Sequence, residues 1–175
     1  AEIRFLSSIG TTTALTSITS ASSGMVTFGA AVGDNTHRIG SVDITGIVNL
    51  NGGTVYTSGV QKYRAGVILG STLTTLDATN NNITFDSSVN SIASQLYSLT
   101  VNAGSGDATF TGAVGAGTNG KLGALIVNSS AATLFGSTVN AVSVTTNATG
   151  STRFNNDIMT TAAQNYNDAV IIGAA

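Results

Sequence analysis

The chain contains no cysteine, no proline and no tryptophan. Without cysteine it can form neither disulfides nor thiolate metal sites. Charge is nearly as scarce: Asp, Glu, Lys and Arg make up 8% of its 175 residues, against roughly a quarter in ordinary soluble domains. The basic residues Arg4, Arg38, Lys62, Arg64, Lys121 and Arg153 are scattered, and the net charge is −2. Nucleic acid binding draws on clustered Lys and Arg that neutralise phosphate, so this balance argues against it. No apolar run approaches the roughly 18 residues that a membrane-spanning helix needs.

Residues suited to catalysis are equally few. The one histidine, His37, sits in "GDNTHRIG", which reads as a solvated turn. The acids are spread along the chain, with no close pair of the kind that glycoside hydrolysis requires. Asp107 in "AGSGDATF" reads as a turn carboxylate. "NGGT" (51–54) has paired glycines but lacks the periodic aspartate of calcium-bound nonapeptide rolls. "GAVGAG" (112–117) opens no helix, so it is no dinucleotide fingerprint. The expected catalytic, cofactor-binding and metal-binding residues are therefore none.

What the chain does hold is 42% hydrophobic residues among abundant Gly, Ser, Thr, Asn and Ala. Disordered chains pair low hydrophobicity with high net charge. This one has neither property, and it can bury a core if that core is thin and regular.

The apolar residues recur. Every phenylalanine and two tyrosines are followed four positions later by Val or Ile. The pairs are Phe5/Ile9, Phe28/Val32, Tyr63/Val67, Phe85/Val89, Phe110/Val114, Phe135/Val139, Phe154/Ile158 and Tyr166/Val170. A second signature has two aliphatics three apart, then a small or β-branched residue, as in Leu73/Leu76/Ala78, Leu96/Leu99/Val101 and Leu122/Leu125/Val127. A longer period relates Leu50–Gly70 to Phe154–Gly173, with Gln61 and Gln164, and Tyr63 and Tyr166, each 103 residues apart. Asn102 and Asn128 both follow the last Val of the second signature, which suits an asparagine ladder between coils. Tyr56 and Tyr97 are the candidates for an outer surface that stacks on sugars.

Spacing of four fits one face of a helix or of a strand. The intervening Thr, Gly, Ser and Asn are poor helix formers, and Gly-Ser-Asn clusters bound short segments as strands and turns require. The expected fold is all-β: a single-stranded parallel β-helix of about eight or nine coils, with stacked copies burying what one coil cannot. A β-sandwich is the alternative. The phenylalanines are expected to pile into one interior column at the inter-strand spacing. The expected core is Phe5, Phe28, Tyr63, Phe85, Phe110, Phe135, Phe154 and Tyr166, with Val32, Val67, Val89, Val114, Val139, Val170, Leu73, Leu76, Leu99, Leu122, Leu125 and Val127. No linker interrupts residues 1–175, which read as one continuous domain. The sequence reads as a mature protein or as part of a longer repetitive chain.

The strings "VTFGAAVG", "ATFTGAVGAGTNGKLGALIV", "VNLNGGTVYTSGVQKYRAGVILG" and "AQNYNDAVIIG" resemble repeats of large secreted bacterial exoproteins of the haemagglutinin-like and beta strand repeat type. This resemblance covers nearly the whole chain. It implies a right-handed parallel β-helix, export to the cell surface or beyond, and roles in adhesion, aggregation or biofilm matrix. The expected function is that of a structural, non-enzymatic rod without cofactors, self-associating or serving as a stiff spacer. The expected partners are further copies or coils of the same kind and surface glycans, with no nucleic acid and no membrane span. The competing expectation is a carbohydrate-binding or polysaccharide-active β-helix.

Overall fold

A computed structural model of the chain describes residues 1–117 and 119–173. Among these there are twenty short strands and no helix. In chain order they begin β1 (Glu2–Phe5), β2 (Ile18–Ser20), β3 (Met25–Phe28), β4 (Val42–Ile44), β5 (Val48–Leu50), β6 (Thr54–Tyr56) and β7 (Gln61–Tyr63). They continue as β8 (Val67–Leu69), β9 (Leu73–Asp77), β10 (Ile83–Phe85), β11 (Val89–Ser91), β12 (Ser98–Gly104), β13 (Ala108–Phe110) and β14 (Leu122–Ser129). The last are β15 (Ala132–Phe135), β16 (Val139–Thr146), β17 (Ser151–Phe154), β18 (Ile158–Thr160), β19 (Gln164–Tyr166) and β20 (Ala169–Ile172).

Strands far apart in sequence pair in parallel and build three faces. Face one stacks β1-β3-β5-β8-β11 and continues through the bridges Val89–Val114–Val139 into the start of β16, then β18. Face two is the eight-stranded run β2-β4-β7-β10-β13-β15-β17-β20. Face three starts with the bridges Ile9–Val32–Val55 and runs through β6, β9, β12, β14, the end of β16 and β19. β14 and β16 are long enough to turn a corner, so faces one and three join there. Each coil visits face one, then three, then two. The fold is a β-solenoid of about eight turns. Coil length varies along face two, from 25 residues between Phe85 and Phe110 to 18 between Phe154 and Ile172.

The spacing of four now has a physical reason. Each aromatic ends a strand and the Val or Ile four residues on opens the next face. Phe85 closes β10 and Val89 opens β11; Phe135 closes β15 and Val139 opens β16. The pair therefore brackets a corner and does not share one strand. Three residues between them, all small or polar apart from Leu6, make the bend. At the equivalent corner between Ile44 and Val48, where Ile44 takes the place of the aromatic, a Cβ on Gly46 would collide with the carbonyl of Gly24 in the previous coil, so only glycine fits there.

The interior holds two aromatic columns, not one. Tyr63, Phe85, Phe110, Phe135 and Phe154 stack on face two with centroids 4.8–5.6 Å apart. Phe5 and Phe28 stack at 5.6 Å on face one, where Leu50 and Leu69 continue their column. From Phe28 to Tyr63 the chain falls one face short of two full coils, which moves the aromatic motif to the neighbouring sheet. Val32 moves with it: it stands on face three between Ile9 and Val55, away from Val67, Val89, Val114 and Val139 on face one.

Three further core assignments differ. Leu73 is 53% exposed because an odd spacing from Leu76 places it on the opposite side of an extended strand, and Thr74 points inward instead. Val170 points inward but is 45% exposed, since the last coil has nothing stacked on it among the described residues. Tyr166 is half-buried on face three and meets Phe154 edge-on at 61°, outside the stacked column. Phe5, in the first coil, is partly buried. The other predicted interior residues are all buried.

Candidate functional surfaces

The outer side of face three carries a row of polar side chains in register: Tyr56, Asp77, Asn102 and Asn128. They alternate with inward residues such as Leu76, Val101 and Val127, which fixes their outward direction. Asn128 Nδ2 donates to Asn102 Oδ1 at 2.8 Å, the coil-to-coil geometry of an amide ladder. Arg38 closes the other end. Its guanidinium lies 5.1 Å over the Tyr56 ring and donates to Asp77 Oδ1 at 2.7 Å. Beside it a shallow cavity of about 280 Å³ is lined by Arg38, Asp77, Thr79, Asn80, Asn102 and Gly104. Nothing in the spacing of the sequence links Arg38 to Asp77, because the two do not occupy equivalent positions of the repeat.

Most carboxylates are engaged in holding coils together. Arg64 forks onto both oxygens of Asp43 at 2.7 Å, which holds the carboxyl below its usual range and raises the guanidinium. Lys62 reaches Asp86 at 3.3 Å. Asp107 accepts from the Ala132 N–H of the next coil, and Asp168 accepts from Thr146 and Thr152. Asp34 is lowered by the backbone N–H groups of His37 and Thr36, and it caps the turn that holds His37. Among the described residues no three His, Asp or Glu side chains cluster closely enough to hold a metal ion, and no helix is long and apolar enough to cross a membrane. Tyr97 packs partly against the core, and Tyr56 is covered by Arg38.

The long repeat is reproduced atom by atom. Gln61 Nε2 donates to Val55 O and Thr57 Oγ1, while the Tyr63 hydroxyl donates to Gln61 Oε1 at 2.9 Å. Gln164 Nε2 donates to Ile158 O and Thr160 Oγ1, while the Tyr166 hydroxyl donates to Gln164 Oε1 at 2.9 Å. Yet β6, β7 and β8 occupy faces three, two and one, whereas β18, β19 and β20 occupy faces one, three and two. The repeat is therefore not a whole number of coils, and its second copy is turned by one face. Burial raises both tyrosine hydroxyl pKa values, most for Tyr63, which is fully enclosed.

Among the described residues nothing is stacked on the coil β18–β20, and the tube has its mouth there. A cavity of about 410 Å³ is lined there by Phe154, Ile158, Gln164, Tyr166, Val170 and Ile172 among others. Inward side chains that other coils bury are exposed at this mouth, Ile172 at 76%.

These features define a repeat protein of the β-solenoid class. Comparison with protein-family models, with curated proteins and with solved structures finds no match to this chain.

Proposed function

We propose that this chain is a non-enzymatic structural rod, a segment of an extracellular bacterial adhesin or biofilm matrix protein that acts as a stiff spacer or self-associates. The observation that carries this reading is the use of its charged groups. Asp43, Asp77, Asp86, Asp107 and Asp168 bond to neighbouring coils and are bound up in the scaffold, and the interior is filled by stacked rings and aliphatics. Low charge lets such rods approach one another with little repulsion. The resemblance of the repeats to haemagglutinin-like exoproteins supports the surface setting. With eight strands on face two at about 4.8 Å each, one chain gives a rod roughly 35 Å long.

Small-angle scattering of the purified chain tests the rod: a pair-distance distribution skewed to long distances is expected, and a symmetric globular one refutes it. A glycan array together with a reducing-sugar assay tests the rest of the reading. Selective sugar binding at the Arg38–Asn102 cavity, or release of reducing ends, replaces the rod with the carbohydrate-active alternative.

A further inference from the structure

We propose that the outer side of face two is a lateral contact between copies of this chain: two rods lie antiparallel, face two on face two, with Arg64 of each against Asp86 of the other. This rests on the self-association reading above and names its surface and orientation.

The short strands of face two turn one side chain outward at their centre and another just past their end. The central column runs Thr19, Asp43, Lys62, Thr84 and Thr109. The second column follows the inward Ile44, Tyr63, Phe85 and Phe110 and runs Thr45, Arg64, Asp86 and Thr111, each with its N–H on a carbonyl of the coil before. In a chain with 8% charged residues, four charges thus stand together on β4, β7 and β10, with threonines around them. Within each column the neighbours have opposite sign: Asp43 beside Lys62, and Arg64 beside Asp86. Their bonds inside the chain run diagonally, Arg64 to Asp43 and Lys62 to Asp86, and all four side chains stay 35–44% exposed.

This pattern selects one way of pairing with itself. In an isologous contact the two faces are related by a two-fold axis, which here lies in the plane between them. An axis along the rods sets each coil against itself, so Lys62 and Arg64 meet the same two cations of the second copy. An axis across the rods makes them antiparallel, and its position decides what meets. Through β7 it sets Arg64 on Arg64, and through β10 it sets Asp86 on Asp86. Midway between β4 and β7 it pairs Asp43 with Lys62 but turns Asp86 onto the methyl of Ala21. Midway between β7 and β10 each charge meets an opposite charge or a hydroxyl: Arg64 faces Asp86, Lys62 faces Thr84, and Asp43 faces Thr109. The bonds within each chain are kept, and complementary charges of this kind fix register.

About that axis β2, β4, β7, β10, β13 and β15 overlap. Strands about 4.8 Å apart across a face about 15 Å wide cover roughly 400 Å² per partner. A standard stable interface takes about 800 Å² per partner, so this contact is weak in one chain and gains with every further coil in a longer rod.

The test is charge reversal with complementation. Sedimentation equilibrium of the unmodified chain up to about 500 μM should show a dimer that weakens as salt screens the ion pairs. Arg64→Glu sets carboxylates face to face and Asp86→Lys sets cations face to face, so each alone should dimerise at least about tenfold more weakly. Mixing the two restores both contacts between chains and changes nothing within either chain. The mixture should therefore form a heterodimer within about threefold of the unmodified affinity. Circular dichroism checks that both variants keep the β signal. Thr111→Tyr keeps all four charges, adds bulk to the exposed outer side and should weaken the dimer as well. A monomer throughout, single variants that dimerise like the unmodified chain, or a mixture no tighter than its parts overturns the proposal. If in those cases the monomer scatters as a rod, the lateral contact fails and the spacer reading stands; if it scatters as a globule, both fail.

Discussion

The two copies of the Gln–Tyr motif provide an internal control for burial, tested by replacing each tyrosine with phenylalanine. At Tyr63 both partners are fully buried, and the hydroxyl is the donor to Gln61 Oε1. Gln61 cannot turn its amide to compensate, because Nε2 already serves Val55 O, Thr57 Oγ1 and Asp77 O. Tyr63→Phe therefore strands a buried carbonyl oxygen, which costs about 1–3 kcal/mol. At Tyr166 the same bond has the same length, but Gln164 is exposed and water takes the place of the hydroxyl. The expected cost there is below about 0.5 kcal/mol, as for other surface changes. A loss of about 2 kcal/mol lowers Tm by about 4–8 °C in a chain of this size, so Tyr63→Phe and Tyr166→Phe should separate clearly in thermal melts followed by circular dichroism. Adding Gln61→Met to Tyr63→Phe should recover part of the loss. Equal shifts at both sites, or none at Tyr63, would refute the assignment of this energy to burial.

Phe110→Ala should cost about 3–5 kcal/mol, because it empties a fully enclosed site between two stacked rings. Phe5→Ala, in the partly open first coil, should cost clearly less in the same urea denaturation series. Thr133 Oγ1 is buried without a partner, so Thr133→Val should raise stability by up to about 1–3 kcal/mol, and a lower urea midpoint would contradict it. Burial holds the Tyr63 hydroxyl pKa above that of the unfolded chain, near 10, so its contribution is complete below that pH and is lost above it. Between pH 10 and 11 the unmodified chain should lose up to about 1.4 kcal/mol more than Tyr63→Phe does, and matching pH profiles would disprove this.

The sequence by itself determined that the chain is all-β, repetitive and parallel. Polar and apolar residues alternate too briefly for anything but short strands, and only stacking of copies buries strands so short. It also marked nearly all of the interior, since Phe85, Phe110 and Phe135 recur at one coil length. The tie between Asn102 and Asn128 was legible for the same reason. What only the tertiary structure decided is the phase of the coils. Coil length drifts, so equal motifs land on different faces: Phe28 and Phe85 stack in separate columns, and Tyr166 leaves the face that Tyr63 occupies. A spacing of four cannot distinguish a shared strand from a corner, and a spacing of three hid the reversal that exposes Leu73. The Arg38–Asp77 contact belongs to this second class, because it depends on which coils the corners bring side by side.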